Sequence, residues 1–154
     1  MPTYGDGNCW YRAVVDQMKR PEIRVALLTT DKFFSNHHKL RLAVVKFVRE
    51  NQENVAYIRN FRNVYCQFLY LENNNRSWDD FLSHQEKNSV YATELFCQAT
   101  TAFLAIDIFV NTENCNEEHP YNCISHDWEI GPLHVSSPNP MLIGSISQMQ
   151  SSFV

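Results

Sequence analysis

The chemistry of this chain is concentrated in one stretch, Gly5-Asp6-Gly7-Asn8-Cys9-Trp10-Tyr11-Arg12-Ala13. Cys9 stands at the seam between a Gly-rich turn and a run, residues 10–19, that reads as helix. Gly5 and Gly7 allow backbone angles that other residues resist. Asp6 and Asn8 favour turns and helix caps. A thiol at a helix N-terminus meets the positive end of the helix dipole and unpaired backbone N–H groups. It is expected to ionise more easily than a free thiol of pKa about 8.5, and the same N–H groups suit an oxyanion formed by attack on a carbonyl. A lone cysteine is more often a small buried hydrophobe. Two glycines, two capping residues and a following helix favour a nucleophile here.

The elements that must position Cys9 follow from the pattern downstream. Pro21 is expected to end the first helix, and 22–35 is ambiguous, because Ile23, Val25, Leu27 and Leu28 fit either a strand or a buried helix. Asn36 or Ser35 caps the next helix, where Leu40, Val44, Val45, Phe47 and Val48 recur at helical spacing through Glu50; His37 and His38 in its first turn read as solvated. The aromatic-rich segment 53–71 places Phe61, Tyr65 and Phe68 on one helical face, as core or as a lid over it. After the polar loop 72–76, Ser77 caps a short helix, Trp78 to His84, with Asp79 and Asp80 in its favourable first turn and His84 at its C-terminal end. Thr93 reads as the N-cap of a mostly apolar, buried helix that runs into a strand, Ala105 to Val110. Further strands are expected around 121–125, 141–146 and 151–154. Helix leading directly into strand indicates a packed α/β unit.

The chain has 154 residues, 44% hydrophobic and 19% charged, with net charge −4. That suits one domain with a real core, 1–154, read either as excised from a longer protein or as a truncated gene product. It gives no electrostatic case for nucleic acid. No apolar run approaches membrane-spanning length and no signal segment opens the chain, so a cytoplasmic or nuclear location is expected. Cys9, Cys66, Cys97, Cys115 and Cys123 are odd in number and scattered, which favours reduced thiols.

The opening motif closely resembles the nucleophile motif of the ovarian-tumour (OTU) cysteine deubiquitinases: Asp-Gly-Asn-Cys, a variable residue, an aromatic, then Arg-Ala. Asp6, Gly7, Asn8, Cys9, Tyr11, Arg12 and Ala13 meet every fixed position. A second stretch is similar to the family's aromatic-Gly-Gly-Glu-Leu opening of a buried helix: Tyr91 takes the aromatic position, Ala92 and Thr93 replace the glycines, and Glu94, Leu95, Gln98 and Ala99 match. The resemblance implies an α/β, papain-like cysteine protease domain with a small central, mostly antiparallel sheet packed between helices. It further implies a monomer without cofactor, with ubiquitin or a ubiquitin-like protein as partner. Cys9 would be the nucleophile. The Cys9 amide and the Asp6 region would form the oxyanion hole, and Gly7, Asn8 and Trp10 would lie along the ubiquitin tail.

A cysteine hydrolase needs a general base, usually histidine, beside the thiol. In the family that histidine lies on the turn after the penultimate strand. Here the place reads Ile146-Ser147-Gln148-Met149-Gln150-Ser151-Ser152-Phe153-Val154. Counting from the strand before the turn puts Gln150 in the histidine slot, with Ser152 as the orienting residue; counting back from Val154 puts Met149 there. Glutamine hydrogen-bonds but does not titrate in this range. His134, His126 and His119 would need a different loop path to substitute. Cys115, His119, Cys123 and His126 form a ligand set that zinc accepts, but no Cys-x-x-Cys knuckle is present and Pro120 interrupts the run, so loop residues and a buried Cys123 are the better reading. The residues therefore leave two readings open: an OTU-type deubiquitinase acting through Cys9, or a catalytically impaired relative that binds ubiquitin or serves as an interaction module.

Overall fold

A computed structural model describes residues 6–69, 76–110, 122–124 and 141–143. Six α-helices come first: α1 (Cys9–Met18), α2 (Pro21–Thr29), α3 (His37–Glu50), α4 (Ala56–Val64), α5 (Trp78–Gln85) and α6 (Glu94–Leu104). A π-helical turn, Tyr65–Leu69, continues α4. Three short strands follow, β1 (Ile108–Val110), β2 (Asn122–Ile124) and β3 (Met141–Ile143). β1 is central. It pairs antiparallel with β2, Phe109 opposite Cys123, and parallel with β3, Phe109 opposite Leu142. The sheet expected to be mostly antiparallel is thus evenly mixed among the described strands. The strand expected at 151–154 lies outside the described residues.

α3 is the spine of the helical layer, packing against both α1 and α6, while α1 also meets β3. Its apolar positions explain this. Leu40, Val44, Val45 and Val48 have no exposed surface and face Trp10, Val14, Leu95 and Phe96 in one core. Asn36 fixes where α3 starts: its side-chain oxygen accepts from the backbone N–H groups of His38 (2.8 Å) and Lys39 (3.2 Å), two donors that the helix cannot satisfy itself. Ser77 caps α5 in the same way, accepting from the Asp80 N–H at 3.2 Å. Thr93 sits at the N-cap of α6 as expected, but its hydroxyl makes no cap bond and, among the described residues, no other.

Three local outcomes differ from the sequence reading. Pro21 does not close the first helix; α1 ends at Met18 and Pro21 opens α2, where its missing N–H costs nothing. The ambiguous stretch after it is helix. Ile23 and Leu27 point inward, whereas Val25 and Leu28 are 66% and 55% exposed, so the apparent alternation was one buried helical face plus two solvent-facing side chains. The strand expected from Ala105 starts only at Ile108. Ala105 closes α6 in the left-handed region (φ 55°, ψ 41°), and Ile106 N–H returns to Thr101 O at 3.2 Å.

Within the aromatic segment Tyr65 is core and Phe61 packs against it, while the side chain of Phe68 lies outside the described residues. Tyr65 lies 4.6 Å from Phe81, centroid to centroid, and 5.6 Å from Trp78, while Phe61 joins the same cluster. The indole N–H of Trp78 donates to Gln52 Oε1 at 2.8 Å and the Tyr65 hydroxyl to Arg76 O at 3.0 Å, so both polar ends are satisfied. Among the described residues no helix is long and apolar enough to cross a membrane.

Ala105 offers a direct test of this fold. An L-residue in the left-handed region carries a steric cost that glycine does not. Ala105→Gly is expected to raise the free energy of unfolding by about 0.5–1 kcal/mol, seen as a higher denaturant midpoint at unchanged slope.

Candidate active site

Cys9 is the first residue of α1 and is 2% exposed. The turn before it is fixed by three independent devices. The first is Gly7, whose φ is +83°; a Cβ there would lie 2.3 Å from the carbonyl carbon and oxygen of Ser89 and 2.8 Å from Val90 N. Glycine is required twice over, by conformation and by the approach of the 89–90 backbone. The second is Asp6. Its Oδ1 accepts from the Asn8 N–H (3.1 Å) and from Arg12 Nη1 (2.8 Å), and its Oδ2 pairs with Arg12 Nη2 at 2.6 Å. One carboxylate thus closes an Asx turn and ties it to the first turn of α1.

The third device is Arg41 of α3, which sequence reasoning missed. It has no exposed surface. Nη2 donates to Gly7 O (2.9 Å), Asn8 Oδ1 (3.0 Å) and Val90 O (2.6 Å), and Nη1 donates to Gln85 O (2.9 Å). The guanidinium also stands 4.6 Å over the Tyr11 ring. Asn8 completes the link by accepting from the Ser89 N–H at 3.1 Å. Nucleophile turn and the 85–90 loop are therefore one hydrogen-bonded unit. The signal was legible: Arg41 precedes Val44 and Val45 by three and four residues, on the face that carries the core.

The electrostatics correct one expectation. Cys9 does not ionise more easily than a free thiol. Burial pushes its pKa up, and the Asp6 charge adds to this; the backbone amides of Trp10 and Cys9 and the charge of Arg12 pull the other way without winning. The helix N-terminus is present, but desolvation outweighs it. At Asp6 the balance is reversed. Burial would raise its pKa, but hydrogen bonds from Arg12 and Asn8 together with the Arg12 charge hold the carboxyl below its usual range.

Other expected site residues separate into scaffold and core. Asn8 is buried and committed to Arg41 and Ser89. Trp10, expected along the substrate tail, is a correction: it has no exposed surface and its indole N–H donates to Thr100 Oγ1 at 3.1 Å, so it anchors α1 to α6. His37, expected to be solvated, is half-buried. Burial first, then the charges of Arg12 and Arg41, lower its pKa. His84 is also held low, by burial and by Arg76 and Lys87, which favours its neutral form over a charged helix cap. Gly5, Met149, Gln150, Ser152, His119, His126, His134 and the side chains of the Cys115–His126 set lie outside the described residues. Among the described residues no three His, Cys, Asp or Glu side chains gather as a metal site, and Cys9, Cys66 and Cys97 are free thiols.

A buried cysteine at a helix N-terminus, on a turn clamped from α1, α3 and the 85–90 loop, is a placement that suits a thiol nucleophile. The family model for OTU-like cysteine protease matches residues 4–138. The chain belongs to that family. The papain-like cysteine protease fold comes with it, and the matched span contains Cys9, the clamp residues and the α6–β1 unit but stops short of Gln150. Searches of curated proteins and of solved structures returned no match.

Two predictions test this OTU-like site. Gly7→Ala should destabilise the domain by more than about 3 kcal/mol, since backbone rather than a movable side chain blocks the new methyl; a denaturant titration measures it. Asp6 has a depressed folded-state pKa, so its contribution is fully present above the unfolded value of about 3.9 and is lost as pH falls through the lower folded value. With side chains 38% and 32% exposed, the Asp6–Arg12 pair is worth under about 1 kcal/mol. Asp6→Asn should therefore lower the midpoint slightly at neutral pH and remove the acid-side loss, read from stability against pH.

Proposed function

We propose that this OTU-like domain carries a cysteine deubiquitinase site in which Cys9 attacks the carbonyl carbon of the isopeptide bond joining the ubiquitin C-terminus to a lysine. The observation that carries this reading is Cys9 at the first position of α1, where the opening backbone N–H groups of the helix have no helical partner, on a turn clamped by Arg41. As the C–S bond forms, the carbonyl oxygen becomes an oxyanion, for which such N–H groups are the natural donors. Collapse breaks the C–N bond, the lysine amine leaves with a proton, and water hydrolyses the thioester to free the ubiquitin carboxylate and the thiol. Gly7, expected along the ubiquitin tail, is buried against the 89–90 backbone and serves the shape of the nucleophile turn.

Two proton transfers in that sequence need a titrating group. The thiol must lose its proton against the burial that raises its pKa, and the amine must gain one. The sequence count places Gln150 where the family resemblance puts a histidine, and an amide does neither. This favours a second reading, a domain that binds ubiquitin with little or no turnover.

One assay separates the two. The wild-type chain, Cys9→Ala and Gln150→His are treated with ubiquitin bearing a C-terminal thiol-reactive warhead and, in parallel, with di-ubiquitin. The isopeptidase reading predicts covalent labelling that Cys9→Ala abolishes, and cleavage that Gln150→His accelerates by roughly a thousandfold. Ubiquitin binding without labelling or cleavage by the wild-type chain supports the binding reading. Failure of every variant to bind, label or cleave overturns both.

A further inference from the structure

Arg41 is more than a strut. Its four hydrogen bonds all go to neutral oxygens: the backbone carbonyls of Gly7, Gln85 and Val90 and the side-chain carbonyl of Asn8. No carboxylate pairs with it among the described residues, and its Nε has no partner there. A fully buried cation without a counter-ion is an expensive arrangement. Hydrogen bonds to neutral acceptors hold the guanidinium in place but leave its charge uncompensated. That charge is hydrogen-bonded to the two residues immediately before Cys9, and the thiol is among the groups whose charge acts on it, although Arg12 is the cation that acts most on Cys9.

We propose that Arg41 is the positioning residue of this site: a fixed, buried cation that holds the nucleophile turn and supplies the positive charge that the Cys9 thiolate forms against. In a thiol hydrolase with an imidazole, the imidazolium plays this electrostatic part once it has taken the proton. Arg41 supplies the charge but takes no proton, since guanidinium stays protonated. It therefore stabilises the anion without acting as the base. The other ionisable groups of the cluster divide by element. Asp6, Tyr11 and Arg12 come from the turn and α1, His37 from α3 one turn before Arg41, and Cys97 from α6. Asp6 and Arg12 compensate each other in a bidentate pair. Tyr11 and Cys97 are kept neutral by burial, and His37 is kept toward neutral by burial and by the adjacent cations. Among the described residues Arg41 has no carboxylate hydrogen-bonded to it, and the Asp6 charge reaches it only from a distance.

The inference rests on Cys9 being the nucleophile, but its test needs no ubiquitin, so the two can fail separately. Iodoacetamide alkylation of Cys9 and of the exposed Cys66 is followed by peptide mass spectrometry from about pH 6 to about pH 11, a range that brackets an ordinary thiol pKa. In Arg41→Met the Cys9 midpoint is expected to rise by about one pH unit, and the rate near neutrality to fall about tenfold, while Cys66 does not move. Arg41→Lys keeps the charge and should return the midpoint to within about 0.3 unit of wild type. An Arg41→Met protein with native circular dichroism and an unmoved Cys9 midpoint overturns the proposal. Should neither variant fold, the wild-type chain decides. Its Cys9 midpoint is compared at about 0.05 M and about 1 M salt, between which the screening length falls severalfold to about 3 Å. A buried cation predicts no change. A rise of about half a unit or more would assign the charge to the partly exposed Arg12 and overturn the proposal.

Discussion

A buried guanidinium costs several kcal/mol in desolvation, and this domain accepts that cost at Arg41, which among the described residues is held by neutral oxygens. Arg41 projects from the middle of the spine helix into the gap between the nucleophile turn and the 85–90 loop, where it meets four oxygens. Charge-assisted hydrogen bonds contribute roughly 1.5–3 kcal/mol each, which offsets the penalty only if all four acceptors stay in place. The dependence runs both ways. Those carbonyls are drawn together by one cation, and the cation is tolerated because they are together. The left-handed Gly7 follows from the same constraint, since the 89–90 backbone approaches too closely for any side chain at position 7.

This constraint explains why Cys9 is well placed yet not readily ionised. To make a turn rigid, the fold buries it, and burial works against the thiolate. Against this the site offers the Cys9 and Trp10 N–H groups and nearby positive charge. These favour an anion more strongly once bound substrate has excluded water, because the same dipoles act in a lower dielectric. Under the proposed reading, binding would therefore tip the balance toward the thiolate that burial alone disfavours.

The sequence was informative where chemistry and local rules coincide. The Asp6–Arg12 motif, the Asn36 and Ser77 caps and the apolar stripe of α3 all follow from residue type and spacing, and the family of the chain was legible from the motif alone. It was misleading where an environment decides the outcome. The helix N-terminus predicted a lowered Cys9 pKa, but burial depth, which comes from α3 and α6, is not written in residues 5–13. Trp10 followed the nucleophile closely enough to suggest a substrate contact, yet the partner that turns it inward is Thr100, ninety residues away. Ile23, Val25 and Leu27 alternated like a strand because two exposed apolar side chains fell by chance beside one buried face. Arg41 was passed over because a charged residue on a core-facing stripe reads as a flaw until its acceptors, spread over positions 7 to 90, are seen together.

The scaffold and the proton-transfer group come from different parts of the chain. Among the described residues, every interaction that fixes the nucleophile turn arises from positions 6–12, 41 and 85–90. The histidine slot follows β3, which packs on α1, the helix that begins at Cys9. A substitution in that slot leaves each of the turn's hydrogen bonds intact. These contacts alone hold the turn, so the positioning of the thiol does not depend on the group that fills that slot. Under the proposed reading an imidazole there would assist proton transfer at both ends of the reaction, whereas an amide would leave the thiol to ionise against fixed charges and backbone dipoles.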